Sequence, residues 1–298
     1  MSQTHNVLEV APATAVSKPA ASLRGLSALL GRSAGGWLFP LALLSLWQAA
    51  SAHEWVAPQI LPAPFVVWST LLEQFASGDL LSNVGISLQR IALGFAIGAV
   101  LGLTLGACMG LSQRVEEYLG PSFRGLSQVP VLGFIPLAMM LFGIGEALKI
   151  VIIAQASLVP VALSTLKGIR SVPRQYVEVA RAFKFSHAQL LRKVIVPGSV
   201  PAIFVGVRNG LTQAWLSLVT VELLASSEGL GFMIVWGRQL FQLDLVVAAI
   251  LVVGVMGLVL DKSLALIEAR LQRWRPDSGQ LLAGVGSSAS GSAAAGAR

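Results

Sequence analysis

The sequence predicts an all-α, multi-pass membrane protein with about six transmembrane helices. Three observations carry this. Of the 298 residues, 55% are apolar, and mean hydropathy is +0.75. Only 12% are charged, 21 basic and 14 acidic, against about 25% in an ordinary soluble domain. The apolar residues are gathered into six runs, and six membrane helices of ~20 residues would use ~120 residues. A water-soluble enzyme needs more polar surface than these charges supply, and a disordered scaffold holds far less apolar mass. The remaining residues are too few for a large soluble domain.

In chain order, residues 1–34 hold Pro, Ala, Ser and scattered charges without the continuous apolar core of a cleaved signal peptide. They are expected to form a largely disordered N-terminal tail. A transmembrane domain over residues 35–275 follows. The runs are 36–52, 88–111, 123–142, 147–166, 199–224 and 244–266; the first is the weakest, holding Pro40 and Gln48. Residues 61–86 open with two prolines and place Phe65, Trp68, Leu71, Leu72 and Phe75 at helical spacing. This stretch is too short and one-sided to span, so it reads as an interfacial helix. The second run has Gly94, Gly98, Gly102, Gly106 and Gly110, each four apart. Such a ridge lets another helix approach closely, inside one bundle or at a dimer seam. Pro130 and Pro136 in the third run and Pro160 in the fourth are expected to interrupt regular helix and shape a cavity. Residues 226–243 are apolar but broken by glycine, which suggests a re-entrant or gating segment. Residues 276–298 are rich in Gly, Ala and Ser and are expected to be disordered.

Charge sets the orientation. Lys18, Arg24 and Arg32 precede the first run. Arg114 follows the second, and Arg124 opens the third. Lys167, Arg170, Arg174, Arg181, Lys184, Arg192 and Lys193 follow the fourth, and Arg270, Arg273 and Arg275 the sixth. The alternate loops carry Glu54, Glu73, Asp79, Glu146 and Glu228, with Lys149, Arg238 and Arg90 at a span start as their bases. The positive-inside rule then places both termini in the cytoplasm. The net charge of +7 reflects these loops and not nucleic-acid binding.

Motifs for chemistry are missing. Cys108 is the single cysteine and lies within an apolar run, so neither a disulfide framework nor a thiolate metal site is available. A phosphate-binding GxxxxGK[ST] loop is absent: Gly143 to Lys149 has Leu148 where the second glycine belongs. His53-Glu54 begins a zinc-protease pattern that fails at Ala57. His53 and His187 fall on opposite membrane sides in this topology, so no Ser/His/Asp set can be assembled. The chain is expected to perform no covalent chemistry.

The loop from Lys167 to Gly198 is patterned. Ser171 and Pro173 open a helix, with Ser171 as N-cap. Tyr176, Val179, Ala180 and Phe183 form one apolar stripe at i, i+3, i+4 and i+7, away from Arg174, Glu178 and Arg181. Ser186 and Gln189 form a capping box, Leu190, Leu191 and Val194 the apolar side of a second short helix, and Pro197 its end. Two such helices either pack on their own bundle or dock into a soluble partner.

Glu178-Val179-Ala180, Lys184 and Val194-Ile195-Val196-Pro197 resemble the EAA loop of ABC-importer permeases, read as E-A-A, three residues, G, nine residues, I-x-L-P. Glu178, Ala180 and Pro197 match at full spacing, and Lys184 replaces the family's glycine. LPAP at 61–64, SLQRIALGF at 87–95, IPLAMMLFGIGEALKI at 135–150, PGSVPAIFVGVRNGL at 197–211 and SSEGLGFMI at 226–234 resemble the nitrate/sulfonate/taurine branch, its aliphatic-sulfonate members above all. The likeness covers roughly residues 36–275. It implies the type I ABC importer permease fold, a multi-pass protein of the bacterial inner membrane. The implied partners are an ABC ATPase subunit, a periplasmic solute-binding protein and a second permease copy, most simply as a homodimer. No cofactor is implied in this chain, since ATP and Mg would be bound by the ATPase. Tyr176, Glu178, Val179, Ala180, Phe183, Lys184, Leu191 and Pro197 become the candidate coupling residues. The family's glycine allows a left-handed residue, which would cost lysine ~1 kcal/mol, so at Lys184 either the turn is shifted or the loop is slightly strained.

The fifth run carries Arg208, Asn209, Thr212 and Gln213. Ionisable groups inside spans face protein or water. These four either line a path for an anionic solute, or Arg208 pairs within the bundle or reaches the cytoplasmic interface. Two rival functions are weaker. A stand-alone secondary transporter of small anions would need coupling carboxylates near mid-depth, whereas Glu222 and Asp261 lie near span ends. An intramembrane enzyme would need a nucleophile–base pair.

Overall fold

The computed structural model describes residues 23–57 and 60–271, with side chains from Leu38 onward. Residues 1–22 of the expected N-terminal tail (1–34) and all of the expected C-terminal tail (276–298) lie outside the described residues. The described residues are helical and contain no strand. They divide into two units, residues 1–58 and 59–298.

The first unit holds one helix, α1 (Leu23–Ala52). It starts within the stretch read as the N-terminal tail and continues through Pro40. Its apolar part, Leu38–Ala52, is shorter than a full membrane span.

The second unit contains α2 (Pro64–Ser77), α3 (Asp79–Leu111), α4 (Gln113–Ser127), a 3₁₀ turn (Val131–Phe134), α5 (Ile135–Phe142) and α6 (Glu146–Arg170). Then come α7 (Arg174–Ala182), α8 (His187–Leu190), a π turn (Leu191–Ile195), α9 (Val196–Ala225), α10 (Leu230–Gln239) and α11 (Leu243–Leu271). Here α3, α6, the run containing α9, and α11 are long and apolar enough to cross a membrane. A fifth crossing arises if α4 and residues 131–142 form one broken span. With α1, this is compatible with the six runs in the sequence.

The third run is therefore not one straight helix: its halves are bent by 88°. Pro130 has no N–H and disfavours helical backbone at Val129, which stops the chain there. Pro136 lies in the first turn of α5, where a missing N–H costs little. Pro160 behaves differently from expectation. It lies inside α6, which runs on to Arg170; one lost hydrogen bond is tolerated where neighbouring helices hold the segment.

The α3 glycine ridge is an internal seam. A Cβ at Gly94 would fall 2.6 Å from Ile153 Cγ2, and one at Gly102 would fall 2.7 Å from the Leu158 carbonyl. Glycine lets α3 rest directly on α6, and α6 rests on α9 in the same way at Gly206 and Gly210. A core of Ile91, Ile153, Ala214, Trp215 and Leu218 is closed by Leu230 and Met233 of α10 and Leu245 and Ala249 of α11. Within residues 226–243, read as a re-entrant or gating segment, residues 230–239 form a regular helix packed on α9 and α11. In α2, Val67 is buried and the Thr70 hydroxyl donates to Asp244 Oδ2 at 2.6 Å, while Phe65, Trp68, Leu72 and Phe75 are exposed.

The loop between α6 and α9 corrects two local readings. Ser171 ends α6, its hydroxyl bonding the Gly168 carbonyl, and α7 begins after Pro173 without a side-chain cap. Pro173 fixes its own φ near the helical value, so α7 can start there unaided. Pro197 does not end the second short helix. It lies in the first turn of α9, directly after a π turn in which Val196 N–H reaches the Leu191 carbonyl. The wider turn accommodates proline, and α8 runs on into α9.

Candidate functional site

At the α7 end of the bundle, the four-residue apolar stripe becomes one wall of a groove of about 930 Å³. Tyr176, Val179 and Phe183 stand exposed, whereas Ala180 is buried as its floor. The opposite wall comes from Val194, Pro197, Pro201 and Val205. Glu178 is exposed and lies outside the groove lining, and Leu191 is half-buried and outside it too. The capping box is present: Ser186 Oγ accepts from Gln189 N–H, and Gln189 Oε1 accepts from Ser186 N–H. Lys193 Nζ lies 5.5 Å from the Phe185 ring, a cation–π contact that braces α8 against the turn.

Lys184 has φ +55°. Phe185 N–H reaches the Ala180 carbonyl at 3.0 Å across it, the closing bond of a Schellman turn. The left-handed residue that the family's glycine allows is therefore retained here with lysine. Lys184→Gly should keep the fold with a melting temperature equal or higher, because the positive φ costs glycine nothing. Lys184→Val should lower it, since a β-branched residue fits that region worst. Thermal unfolding of the two purified variants checks this order.

The opposite end of the bundle holds an ionic cluster in which Arg90, Lys149 and Glu222 are buried and Glu146 is exposed. Asn83, Ser87 and Arg90 lie on the α3 face that continues into the glycine ridge. Arg90, 3% exposed, donates through Nε and Nη2 to Glu146 at 2.8 and 2.6 Å and through Nη1 to Glu222 at 2.9 Å. Lys149 Nζ, also buried, donates to Glu146 at 2.7 Å. Ser87 Oγ donates to Glu222 at 2.8 Å. The same groups hold the 226–231 loop by its backbone. Arg90 Nη1 reaches the Glu228 carbonyl, Gly229 N–H donates to Asn83, Leu230 N–H to Ser87, and Gly231 N–H to Glu222. Gly229 has φ +105°, and a Cβ there would meet Glu222 Cδ at 2.6 Å and Arg90 Nη1 at 2.8 Å. Only glycine lets the loop close over the pair. By sequence alone Glu146 and Lys149 look like loop charges and Arg90 like a charge at a span start. The available signal was spacing, since Asn83, Ser87, Arg90 and Gly94 are separated by four, three and four.

The polar residues Arg208, Asn209, Thr212 and Gln213 lie exposed along one stretch of α9. Arg208 donates through Nε and Nη2 to both Asp261 oxygens at 2.6 and 2.7 Å, linking α9 to α11. Asn209, Thr212 and Gln213 are exposed beside it, and the Thr212 hydroxyl bonds the Arg208 carbonyl of its own helix. Among the described residues no group of three or more His, Cys, Asp and Glu is placed to hold a metal ion.

Known proteins resemble most of this chain. The model of the family described as "binding-protein-dependent transport system inner membrane component" matches residues 94–273. The Bacillus subtilis protein SsuC, named for aliphatic sulfonates transport as a permease, is 39% identical over 249 residues, covering 82% of this chain and 90% of its own. The taurine transport system permease protein TauC of Escherichia coli is 35% identical over 237 residues, covering 78% and 86%. Among solved structures, an amino acid ABC transporter crystallised with histidines matches with a TM-score of 0.57 at 20% identity, over 67% of this chain and 96% of that one. At that identity the likeness concerns the fold alone.

Proposed function

Because the chain belongs to the binding-protein-dependent transport system inner membrane component family, and is thus a multi-pass transport permease, we propose that it is the translocating subunit of an ATP-driven importer of small anions. Aliphatic sulfonates come first among its solutes, and taurine and nitrate next, on the strength of its relatives' names. A periplasmic binding protein delivers the solute, a second copy of the chain completes the pathway, and an ABC ATPase supplies the energy. The protein resides in the bacterial inner membrane with both termini and the α7 end in the cytoplasm, as the basic loops require.

One observation carries the ATPase assignment: the exposed, aromatic-walled groove at the α7 end. Tyr176 and Phe183 are 56% and 74% exposed on a helix outside the bundle, and a soluble partner gains most by burying such aromatic anchors. Ala180 lies at the floor, so a large residue there would deform the groove itself. The sharper variants are Tyr176→Ala and Phe183→Ala, which remove exposed wall and leave the floor intact. Each should weaken co-purification with the ATPase by about 1–2 kcal/mol, roughly 5- to 30-fold, as interface anchors do, with the permease fold unchanged. Full binding and full solute-stimulated ATP turnover in both variants would remove this groove as the docking site.

A secondary transporter is less well supported. Of the acids in the apolar runs, Glu222 and Asp261 are each held by an arginine and Asp244 accepts from the Thr70 hydroxyl.

A further inference from the structure

The break between α4 and α5 lies at mid-depth in the bundle. On one side of it, Leu119, Phe123 and Leu126 of α4 lie against Leu105 and Met109 of α3. On the other, Ile135 and Ala138 of α5 pack with Ile152 and Val221. The break therefore falls between the level of Leu105 and that of Ile152, where Gly98 and Gly102 meet Ser157 and Val161. The backbone there is incompletely bonded. Gly133 N–H reaches the Pro130 carbonyl, but the N–H groups of Val131 and Leu132 meet no acceptor among the described residues. Gln128, Val129, Pro130, Leu132 and Gly133 are all exposed on the surface of the chain. No residue from Gly125 to Gly145 is charged.

Lipid cannot cover such a segment. Non-helical backbone at membrane depth persists only where it is buried in protein or borders water, because hydrocarbon supplies no hydrogen bonds. This chain leaves it unburied. We propose that residues 128–133 form a neutral, water-exposed wall of the solute path, with the Gln128 side chain and the Val131 and Leu132 amides facing the aqueous space. An uncharged wall suits passage, since conduction requires weak holding. The proposal rests on the permease reading above and assigns the path to the α4–α5 break instead of the Arg208 stripe, whose charge is held by Asp261.

The test uses the full chain in native membranes with Cys108→Ser as background. Single cysteines are placed at Gln128, Leu132 and Gly133, and at Leu101 on α3 and Leu258 on α11, exposed apolar positions on long helices. A Cβ at Gly133 meets open space, so that substitution is tolerated. A water-soluble, charged methanethiosulfonate is applied from both sides. The 128, 132 and 133 cysteines should react at least roughly tenfold faster than those at 101 and 258, because the reagent attacks the hydrated thiolate, and modification should lower sulfonate uptake. Equal, slow rates at all five positions would overturn the proposal. So would efficient oxidative cross-linking between copies at position 132 without reagent access, which would mean that the second copy seals the break. Labelling reads water directly. Failed sulfonate uptake by the unmodified Cys108→Ser chain would instead count against the permease reading.

Discussion

Gly98→Val should sharply lower the stability of the folded protein. A Cβ at this position would overlap the Ser157 hydroxyl and the Ala154 carbonyl of α6. The serine can rotate, but the carbonyl belongs to a helix backbone that is buried on both sides. The only relief is to move α3 away from α6, which opens the seam at Gly94, Gly102 and Gly106 as well. Overpacking usually costs about 1–3 kcal/mol, and a backbone obstacle within a shared seam places this variant at or above the upper value. A fold stable by about 5–15 kcal/mol loses a large share of its margin. Gly254→Ala is the internal control: no atom lies within 4 Å of a Cβ there, so it should be neutral or slightly stabilising through helix propensity. Denaturant unfolding of both variants in detergent makes the comparison. A Gly98→Val protein as stable as the Gly254→Ala control would refute close backbone contact between α3 and α6.

Glu222→Ala should destabilise the protein by about 3–5 kcal/mol, the usual cost of removing one partner from a buried ion pair. The Glu222 side chain is 0% exposed and the Arg90 side chain 3%. Its loss takes one acceptor from Arg90 Nη1, Ser87 and the Gly231 amide together, and leaves the buried guanidinium to Glu146, whose side chain is 58% exposed, and to the Glu228 carbonyl. Replacing both charges, Arg90→Met with Glu222→Leu, should be less destabilising than Glu222→Ala alone, because the buried charge that lost its buried partner is then removed as well. Unfolding of the single and double variants tests the order. A double variant worse than the single would mean that holding the 226–231 backbone matters more than pairing the charges.

What the sequence disclosed follows from which forces are local. Burial in lipid acts on windows of about 20 residues, so hydropathy alone located α3, α6, α9 and α11. The capping box at Ser186 and Gln189 and the left-handed residue at 184 are equally local, one set by spacing and the other by the family's glycine. Ser171 illustrates the limit. A serine two residues before a proline-led helix reads as an N-cap, yet α6 runs far enough to claim it. Arg90 and Glu222 illustrate a deeper one. They are 132 positions apart in the chain, and pairing across helices depends on the packing of α3, α6 and α9. Arg90 near a span start looks like an ordinary boundary charge until α6 and α9 close around it. The 88° break shows the same division: its prolines are visible, but its angle depends on what α5 packs against.

The composition of the ionic cluster sets its electrical behaviour. Arg90 and Lys149 bring two positive charges, and Glu146 and Glu222 two negative ones, held as one bonded group. A charge carried through the whole membrane field exchanges about 2.3 kcal/mol per 100 mV, so a gating element with one unbalanced charge would be pulled by the resting voltage. This group carries none. Moved as a unit across the field, these four groups would do almost no net electrical work.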